Sequence, residues 1–390
     1  MNFLSLLKYA RERGASDIHL KPGNPPIIRV YGKLFPVKDY SELSESQIEN
    51  IIDTILRPEQ MEILEKNLAI DVGFSDSYGR YRVNIFRQKG KYAIALRIIP
   101  ARVKSIEELN LPSVIKKIAM EERGLILVTG VAGTGKSTTL ASMLDYINKN
   151  KTVNIITIED PIEYELKEDK SLISQREVGL DTKSFFSGLK EALRQDPNVI
   201  MVGEMRDLET VSTAIMAAET GHLVMSTLHT LDAKETINRI VSIFPSHQQD
   251  MVRSQLASVL KAVISQRLVP RADRKGRVPA VEIMVVTERI KEMILYPERL
   301  SEIYDAIAEG YLPYGMQTFD QSLFYLYKRG LITKETALEY ATHRESLRLR
   351  LEGILDSSDK TWFIFEELAR KHREENYGGY HGNRGKTQGT

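Results

Sequence analysis

The stretch that decides the fold is Gly130-Val-Ala-Gly-Thr-Gly-Lys136-Ser137, which fits the phosphate-binding pattern G-x-x-x-x-G-K-[ST]. A strand-like apolar run, Leu125–Thr129, precedes it, and a helix-forming run, Thr138–Ile147, follows it. Glycines let backbone N–H groups turn inward around a polyphosphate, and the helix N-terminus adds partial positive charge at the same place. A glycine-rich turn that only caps a helix is the weaker alternative in this strand–loop–helix context. The stretch therefore predicts a nucleoside triphosphate site.

Two side chains of this loop carry specific chemistry. We expect Lys136 to reach the β- and γ-phosphates and Ser137 to supply an oxygen to Mg²⁺ held through the nucleotide. The expected cofactors are therefore ATP and Mg²⁺. The predicted nucleotide-binding residues are Gly130, Ala132, Gly133, Thr134, Gly135, Lys136, Ser137 and Thr138.

Apolar strand-like runs alternate with helix-length segments around this loop. Besides Leu125–Thr129, the runs are Asn154–Ile158, Val199–Val202 and Leu223–Thr227. Near-continuous apolar strands are typical of a parallel sheet that is buried on both faces. The predicted fold class is α/β with a mainly parallel sheet and right-handed crossovers.

Acidic motifs follow two of these strands. Asn154–Ile158 leads into Glu159-Asp-Pro-Ile-Glu163, and Val199–Val202 leads into Gly203-Glu204, where many such proteins carry an aspartate in place of the glycine. Ligands of open parallel sheets bind at the carboxyl ends of the strands. We expect Glu204 to be the catalytic carboxylate with Glu159 and Glu163 beside it, and Glu159 or Glu204 to contact Mg²⁺ through water. A solvated acidic turn and an acidic helix cap are the respective alternatives.

One short strand, Leu223–Thr227, has a histidine near each end. These residues, His222 and His229, are candidates for a γ-phosphate sensor or a structural hydrogen bond. A metal site is the less favoured alternative, since the chain has neither cysteine nor an acidic partner at i,i+4 to complete it.

The sequence pattern of residues 1–100 predicts a separate α+β unit. Its strand candidates are joined by short connections, which favours one antiparallel sheet. Ser44 and Gln47 form a capping box that begins a helix, and Pro58 is expected to end it. The strand candidates are Ser16–Leu20, Ile27–Val30, Lys33–Val37, Ala69–Phe74, Arg80–Arg87 and Tyr92–Ile99.

The remainder of the chain divides into three segments that differ in charge and in hydrophobic pattern. Residues 101–112 are charged and lack a sustained period, so we expect a linker or hinge there. Residues 113–350 are expected to form the ATPase domain, which is helical from Thr287 onward. Residues 351–390 are predicted to be partly helical around Trp362 and disordered from Tyr377.

Composition excludes several classes of protein. The 390 residues include no cysteine, which excludes a disulfide framework, a cysteine nucleophile and a thiolate zinc site. Lys and Arg total 54 against 53 Asp and Glu, and a net charge of +1 argues against a dedicated nucleic-acid surface. No apolar run approaches the roughly 20 residues of a membrane span, and the start is an amphipathic helix and not a signal peptide. We expect a cytoplasmic protein without direct membrane insertion.

Taken together, the four motifs resemble the secretion-ATPase superfamily of type II and type IV pilus systems. They occur in its order, as Walker A at 130–137, an acidic box at 159–163, an atypical Walker B at 199–204 and a histidine box at 220–230. Further segments resemble its PilT/PilU branch, which retracts type IV pili, and the resemblance covers about residues 1–350. These segments are Gly14–Leu20, Pro25–Gly32, Gln175–Gly179, Leu193–Pro197 and Gly315–Ser322.

The resemblance implies a PAS-like N-terminal domain, a RecA-like ATPase domain with nucleotide between them, and a ring of six identical subunits. It also implies that Arg82 and Arg97 of the N-terminal domain face the γ-phosphate. Two surface arginines on adjacent strands are the alternative that the residues alone leave open. In the family, the partner is the inner-membrane platform protein of the pilus, so a peripheral position at that membrane is expected.

Several functions remain open at this level. A motor for pilus retraction and twitching motility is favoured, and an accessory PilU-like subunit with a regulatory or scaffolding role, working with a paralogous motor ATPase, is the alternative. Ile290–Pro297 departs from the motif that retraction enzymes usually carry there, which favours the accessory role. A pilus-extension or type II secretion ATPase is disfavoured because those relatives usually carry a tetracysteine zinc module. A DNA translocase is disfavoured by the near-zero charge.

Overall fold

The computed structural model describes residues 2–30, 32–38, 40–99, 102–354, 362–368 and 370–371. The chain divides into two compact units. The first unit comprises residues 1–103, Glu159–Lys167 and Gln175–Asp181, and the second comprises Lys104–Ile158, Glu168–Ser174 and Thr182–Thr390. The sequence-based limits at residues 100, 112 and 350 stay predictions.

The first unit contains a six-stranded, fully antiparallel sheet in the order β3-β2-β1-β6-β5-β4. Apolar faces of three helices supply buried residues, such as Leu6, Ile52 and Leu64, to the same core as Ile18 and Val83 of the sheet. The predicted antiparallel sheet is thereby confirmed. The elements are α1 Phe3–Glu12, β1 Asp17–Leu20, β2 Ile27–Val30, β3 Lys33–Pro36, α2 Glu45–Ile55, α3 Pro58–Asn67, β4 Ala69–Asp76, β5 Gly79–Gln88 and β6 Lys91–Ile98.

The helices of this unit confirm the predicted capping and include one helix that was not anticipated. Ser44 accepts from the Gln47 N–H while the Gln47 side chain accepts from the Ser44 N–H, so the predicted capping box is present. The predicted end of this helix before Pro58 is also confirmed, since α2 ends at Ile55, whereas the start of α3 at Pro58 was not anticipated. Proline suits that position, since the first-turn N–H groups of a helix have no partner within the helix.

The second sheet has seven strands in the order β13-β12-β7-β11-β10-β8-β9. Strands β12, β7, β11, β10 and β8 pair in parallel, and β13 pairs antiparallel with β12 at the edge. The predicted α/β class with a mainly parallel sheet is confirmed, while β9, β12 and β13 were not anticipated. The strands are β7 Gly124–Thr129, β8 Asn154–Glu159, β9 Leu172–Glu177, β10 Val199–Val202, β11 Leu223–Leu228, β12 Leu260–Pro270 and β13 Arg277–Val285.

Helices surround this sheet and form the C-terminal part of the chain. The predicted helical region from Thr287 to Leu351 is confirmed. None of the helices in the described part of the chain combines the length and hydropathy of a membrane span. The helices are α4 Val114–Ala119, α5 Lys136–Asn150, α6 Phe185–Ala192, α7 Leu208–Glu219, α8 Ala233–Ser242, α9 Gln249–Val259, α10 Glu288–Leu295, α11 Ile303–Glu309, α12 Tyr311–Tyr314, α13 Phe319–Lys328, α14 Lys334–Glu339 and α15 Arg344–Leu351, with 3₁₀ turns at Ser246–Gln248 and Pro297–Glu302.

The C-terminal extension contributes to the core of the second unit. Residues 362–368 are helical, and Trp362 and Phe365 are buried there. The Trp362 ring meets Phe324 edge-on at 5.2 Å, and Lys328 forms an ion pair with Glu366 at 2.6 Å. The predicted helix around Trp362 is therefore present, whereas the predicted disordered segment from Tyr377 lies outside the described residues.

Candidate functional site

The phosphate-binding loop connects the C-terminal end of β7 to the start of α5. Gly130, Gly133 and Gly135 have φ values of 144°, 78° and 91°, which side chains of L-residues rarely adopt. A Cβ at Gly130 would also lie 2.5 Å from the Gln266 carbonyl and 2.6 Å from Thr134 Oγ1. Glycine is therefore required at Gly130 both by conformation and by the close approach of β12.

Lys136 is the first residue of α5 and is buried. Its ammonium donates to the carbonyl oxygens of Gly130 at 2.8 Å and Val131 at 3.1 Å, so it lies on the inner side of the loop. The N-cap residue, Gly135, has no side chain to cap the helix. The loop thus combines a cation with the positive end of a helix, as an anionic phosphate chain requires.

A carboxylate and a histidine lie at the same edge of this sheet. Glu204 follows β10 and His229 follows β11, and Glu204 Oε2 is 3.6 Å from His229 Nε2. Strand pairing explains their proximity, because β10 and β11 run in parallel and register Val202 with Ser226. The Thr227 hydroxyl donates to the Gly203 carbonyl at 2.7 Å and fixes this junction.

The His229 imidazole is biased toward its neutral form. Burial lowers the pKa of His229 below its usual 6.5, and the nearby positive charge of Lys136 lowers it further, while Glu204 opposes these effects. A neutral imidazole has one donor and one acceptor nitrogen. His229 can therefore hydrogen-bond to a phosphate or to a water without adding a full positive charge at neutral pH.

Gly203 occupies the place where an aspartate stands in many related motifs, and packing explains the glycine. A Cβ at this position would lie 3.2 Å from the Phe185 ring and 3.3 Å from the Ile158 carbonyl. A larger side chain would have to displace the Phe185 ring, which belongs to α6. The carboxylate of this strand end therefore comes from Glu204.

His222 lies at the opposite end of β11 from His229. Its Nδ1 is 2.9 Å from the Ala217 carbonyl and 3.3 Å from Thr220 Oγ1, at the end of α7. The structure thus does not bring the two candidate histidines together. In this subunit His222 contacts the C-terminal end of a helix.

Glu159 and Glu163 belong to the first unit, together with the rest of the acidic box. Glu159 is buried, its Oε1 accepts from the Gln175 side chain at 3.1 Å, and its Oε2 is 3.4 Å from the Glu163 N–H. Glu163 is also 3.7 Å from the Arg82 guanidinium. Glu159 is therefore connected through the Glu163 backbone N–H to a residue whose carboxylate lies beside Arg82.

The two candidate arginines are neighbours in the first unit, since Arg82 of β5 and Arg97 of β6 are directly paired. Arg82 binds Asp71 through two nitrogens, the shorter contact being 2.6 Å. Arg97 is 68% exposed and contacts Asp17 at 3.2 Å. Arg97 is thus the less restrained of the two guanidinium groups.

Some partners of these residues were not anticipated from the sequence. Arg206, two positions after Glu204, places Nε 2.7 Å from its carboxylate. Asp71 and Asp17 hold the candidate arginines. Arg206 lies two residues after the Walker B segment at 199–204, so its position offered a signal, whereas the aspartates became recognisable only through strand register.

This loop, with Lys136 inside it and Glu204 and His229 at the same sheet edge, defines a P-loop nucleoside triphosphatase. The chain matches the family described as Type II/IV secretion system protein over residues 4–310, and it belongs to that family.

Individual relatives place it more closely. The chain is 45% identical over 342 residues to the type IV pilus retraction ATPase PilT of Pseudomonas aeruginosa, a match that covers 87% of this chain and 98% of the relative. It is 40% identical over 355 residues to the type IV pilus ATPase PilU of the same organism, covering 90% and 92%. The crystal structure of the pilus retraction motor PilT with bound ADP has a TM-score of 0.82 and 46% identity, covering 89% of this chain and 99% of that one. The predicted resemblance to PilT/PilU-like secretion ATPases is confirmed.

Proposed function

We propose that this protein is an ATP-hydrolysing motor that drives type IV pilus retraction by disassembling pilin. The proposal rests on one observation above all, the placement of Lys136, Glu204 and His229 at a single edge of the second sheet. Relatives with 45% and 40% identity that are named as pilus ATPases support the pilus assignment.

The residues at this edge suit hydrolysis of a Mg²⁺-bound nucleotide. Neighbouring atoms pack closely against Gly130, whereas no atom lies within 4 Å of where a Cβ at Gly133 or Gly135 would be. The loop can therefore admit phosphate oxygens beside these two glycines. Ser137 would hold Mg²⁺ together with those oxygens, with Glu159 or Glu204 contacting it through water. When bound, the ion neutralises charge that develops on the phosphates. Glu204 would orient the attacking water and accept its proton, and neutral His229 would hydrogen-bond nearby.

Arginines of the first unit complete the proposed machinery. A guanidinium that contacts a γ-phosphate offsets negative charge during transfer. Among the described residues, Arg97 has one ion pair, with Asp17, to exchange for such a contact, whereas Arg82 would have to leave a bidentate pair with Asp71. We therefore assign the larger contribution to Arg97, and Arg97→Lys should reduce turnover more than Arg82→Lys.

The proposed assembly is a homo-hexamer that acts on the inner-membrane platform protein of the pilus, at the cytoplasmic side of that membrane. Closure and reopening around residues 101–112 in response to nucleotide would transmit force to that partner. An interdomain angle that nucleotide leaves unchanged in solution scattering would count against this hinge.

One substitution tests the catalytic assignment. Glu204→Gln keeps the shape of the side chain but removes its basicity, so turnover should fall by about 100-fold or more while ATP binding persists. Glu209→Gln is the matched control, because Glu209 is an exposed carboxylate on the first turn of α7. Turnover of the Glu204 variant at the level of this control would refute the assignment.

An accessory retraction subunit is the second candidate, since the match to PilU covers 92% of that relative at 40% identity. Such a subunit would work with a paralogous motor and contribute little turnover alone. Turnover of the purified protein, measured with and without the companion motor, separates the two. Deletion of the gene tests both in cells, because loss of the motor should abolish twitching and increase piliation.

A further inference from the structure

A cavity of about 980 Å³, separate from the phosphate-binding loop, lies in the second unit. Its walls come from the start of α8, from β13, from α11 and from residues 342–350, together with Trp362. None of the P-loop residues and neither Glu204 nor His229 contributes to it. The volume is at the upper end of the range of small-molecule sites, roughly 300 to 1,000 Å³.

The lining of this cavity is predominantly acidic. Among the basic groups, the Arg350 guanidinium lies 4.5 Å from the centre of the Trp362 ring, so one cation already stacks on this wall. One lining carboxylate, that of Glu309, forms an ion pair with Arg289 at 2.6 Å. Four residues with carboxylates, Asp232, Glu282, Asp305 and Glu309, line the cavity together with the basic residues Lys234 and Arg350.

Among the lining carboxylates, that of Glu282 gives the strongest indication of a ligand site. It lies on β13 and is only 4% exposed, yet it lines the cavity. Its Oε1 accepts from the Ala233 N–H at 3.0 Å. Among the described residues, the hydrogen bond seen for this carboxylate is the one from Ala233 to Oε1. A carboxylate that lines a cavity and has acceptor capacity to spare favours a ligand that brings a donor.

Charged neighbours of Glu282 do not supply that donor. Burial raises the pKa of Glu282 to about 7, and Asp232 and Asp320 raise it as well, whereas the Ala233 N–H and Arg267 lower it. The Arg267 guanidinium is engaged elsewhere, since it lies 3.8 Å from the centre of the Phe319 ring and donates to the Tyr340 carbonyl at 2.6 Å. The counter-charge of Glu282 is therefore incomplete.

We propose that this cavity binds an organic cation with a guanidinium or primary ammonium group, which donates to Glu282. The volume exceeds what a single metal ion fills, and aromatic walls at Tyr304 and Trp362 suit the alkyl part of such a cation. The group has two possible sources, a free polyamine-like molecule or an arginine or lysine side chain of another protein. The proposal does not depend on pilus retraction.

Titration of the full chain with three probes tests it. Agmatine and spermidine represent free amines, and N-acetylarginine amide represents a protein side chain. Calorimetry gives the affinity, and the fluorescence of Trp362, the only tryptophan in the sequence, reports occupancy of the cavity. We expect saturable binding at pH 8, and Glu282→Gln should weaken it by about 10-fold, the effect of one charge-assisted hydrogen bond.

The controls keep the test decisive. Asp305→Asn alters an exposed carboxylate of the lining, and it should weaken binding several-fold, roughly the effect of losing one solvent-screened charge contact. This variant keeps the test possible if the Glu282 variant does not fold. Glu298→Gln, outside the lining, should leave binding unchanged. Tighter binding of spermidine or agmatine assigns a free amine, and tighter binding of N-acetylarginine amide assigns a protein side chain. Lack of saturation by all three probes at about 10 mM, or equal binding by wild type and both lining variants, overturns the proposal.

Discussion

Replacing Glu177 by alanine should locally unfold the acidic box of the first unit. Glu177 is 5% exposed and forms an ion pair with Arg80, which is itself largely buried. Its carboxylate also accepts from the Gly73 N–H at 3.1 Å and the Ile162 N–H at 3.2 Å. Arg80 in turn donates to the Ile162 carbonyl at 3.1 Å. The ion pair therefore connects β4, β5 and the segment that carries Glu163.

The magnitude follows from the three donors that lose their acceptor. Removing one partner of a buried ion pair costs about 3 to 5 kcal/mol, because the other charge stays buried. Each unsatisfied backbone N–H adds about 1 to 3 kcal/mol, reduced where water enters beside Arg80. We expect the opening free energy of this region to fall by about 4 kcal/mol, which corresponds to roughly 1,000-fold faster exchange of its amides.

Hydrogen exchange with mass spectrometry is the appropriate assay, because Trp362 reports only on the second unit. Peptides that contain Gly73 and Ile162 should lose protection in Glu177→Ala. The denaturation midpoint from Trp362 fluorescence should stay unchanged. Glu165→Ala is the matched control, an exposed carboxylate in the same segment, with an expected change within about 0.5 kcal/mol.

A second substitution approaches the same ion pair from β4. A Cβ at Gly73 would lie 2.5 Å from Arg80 Nη2 and 2.7 Å from Glu177 Oε2. Gly73→Ala should therefore separate the pair and raise exchange at Ile162 in the same way. If exchange at Ile162 stayed within about 3-fold of wild type in both variants, the ion pair would not hold the acidic box, and the cost assigned to leaving one buried charge unpaired would be wrong for this site.

Three further predictions concern the second unit. Gly130→Ala should abolish nucleotide binding, measured with a fluorescent ATP analogue, because its Cβ collides with the Gln266 carbonyl; retained affinity would contradict this. His229 should titrate below 6.5 in NMR, and Glu204→Gln should lower its pKa further, since Glu204 raises it; an upward shift would refute the assigned cause. Burial raises the pKa of Glu282 to about 7 from 4.5, so between these values the folded state binds more protons than the unfolded state. The free energy of unfolding should then fall by about 3 kcal/mol as pH rises through this window. Denaturant titrations should show that Glu282→Gln removes this decline, and an unchanged slope would exclude Glu282 as its source.

The parts of the fold that could be predicted depend on short stretches of sequence. Three features can each be recognised from a segment of about ten residues: the P-loop glycines, the capping box at Ser44 and the apolar strands of the parallel sheet. Strand β12 does not, because Leu260 follows α9 directly without a turn residue between them. Its helix-to-strand change becomes evident only when β12 is paired with β7 and β13.

Long-range partners explain most of what remained hidden. Glu177 and Arg80 are 97 positions apart, so nothing near either residue in the sequence indicates the other. The assignment of Glu159–Lys167 and Gln175–Asp181 to the first unit follows from such contacts. A division of the chain by composition alone assigns these segments to the P-loop unit, since they follow its strands directly.

The two histidines show where elementary geometry sharpens a sequence-based hypothesis. Seven residues of extended chain separate His222 from His229 by about 20 Å. A parallel strand presents its ligand-binding groups at the carboxyl end, so only His229 lies at the edge that holds Lys136 and Glu204. His222 contacts the end of α7 instead. A direct role of His222 in phosphate chemistry therefore requires a ligand or another subunit at the opposite edge of the sheet, and its substitution should affect turnover through assembly and not through the pKa of His229.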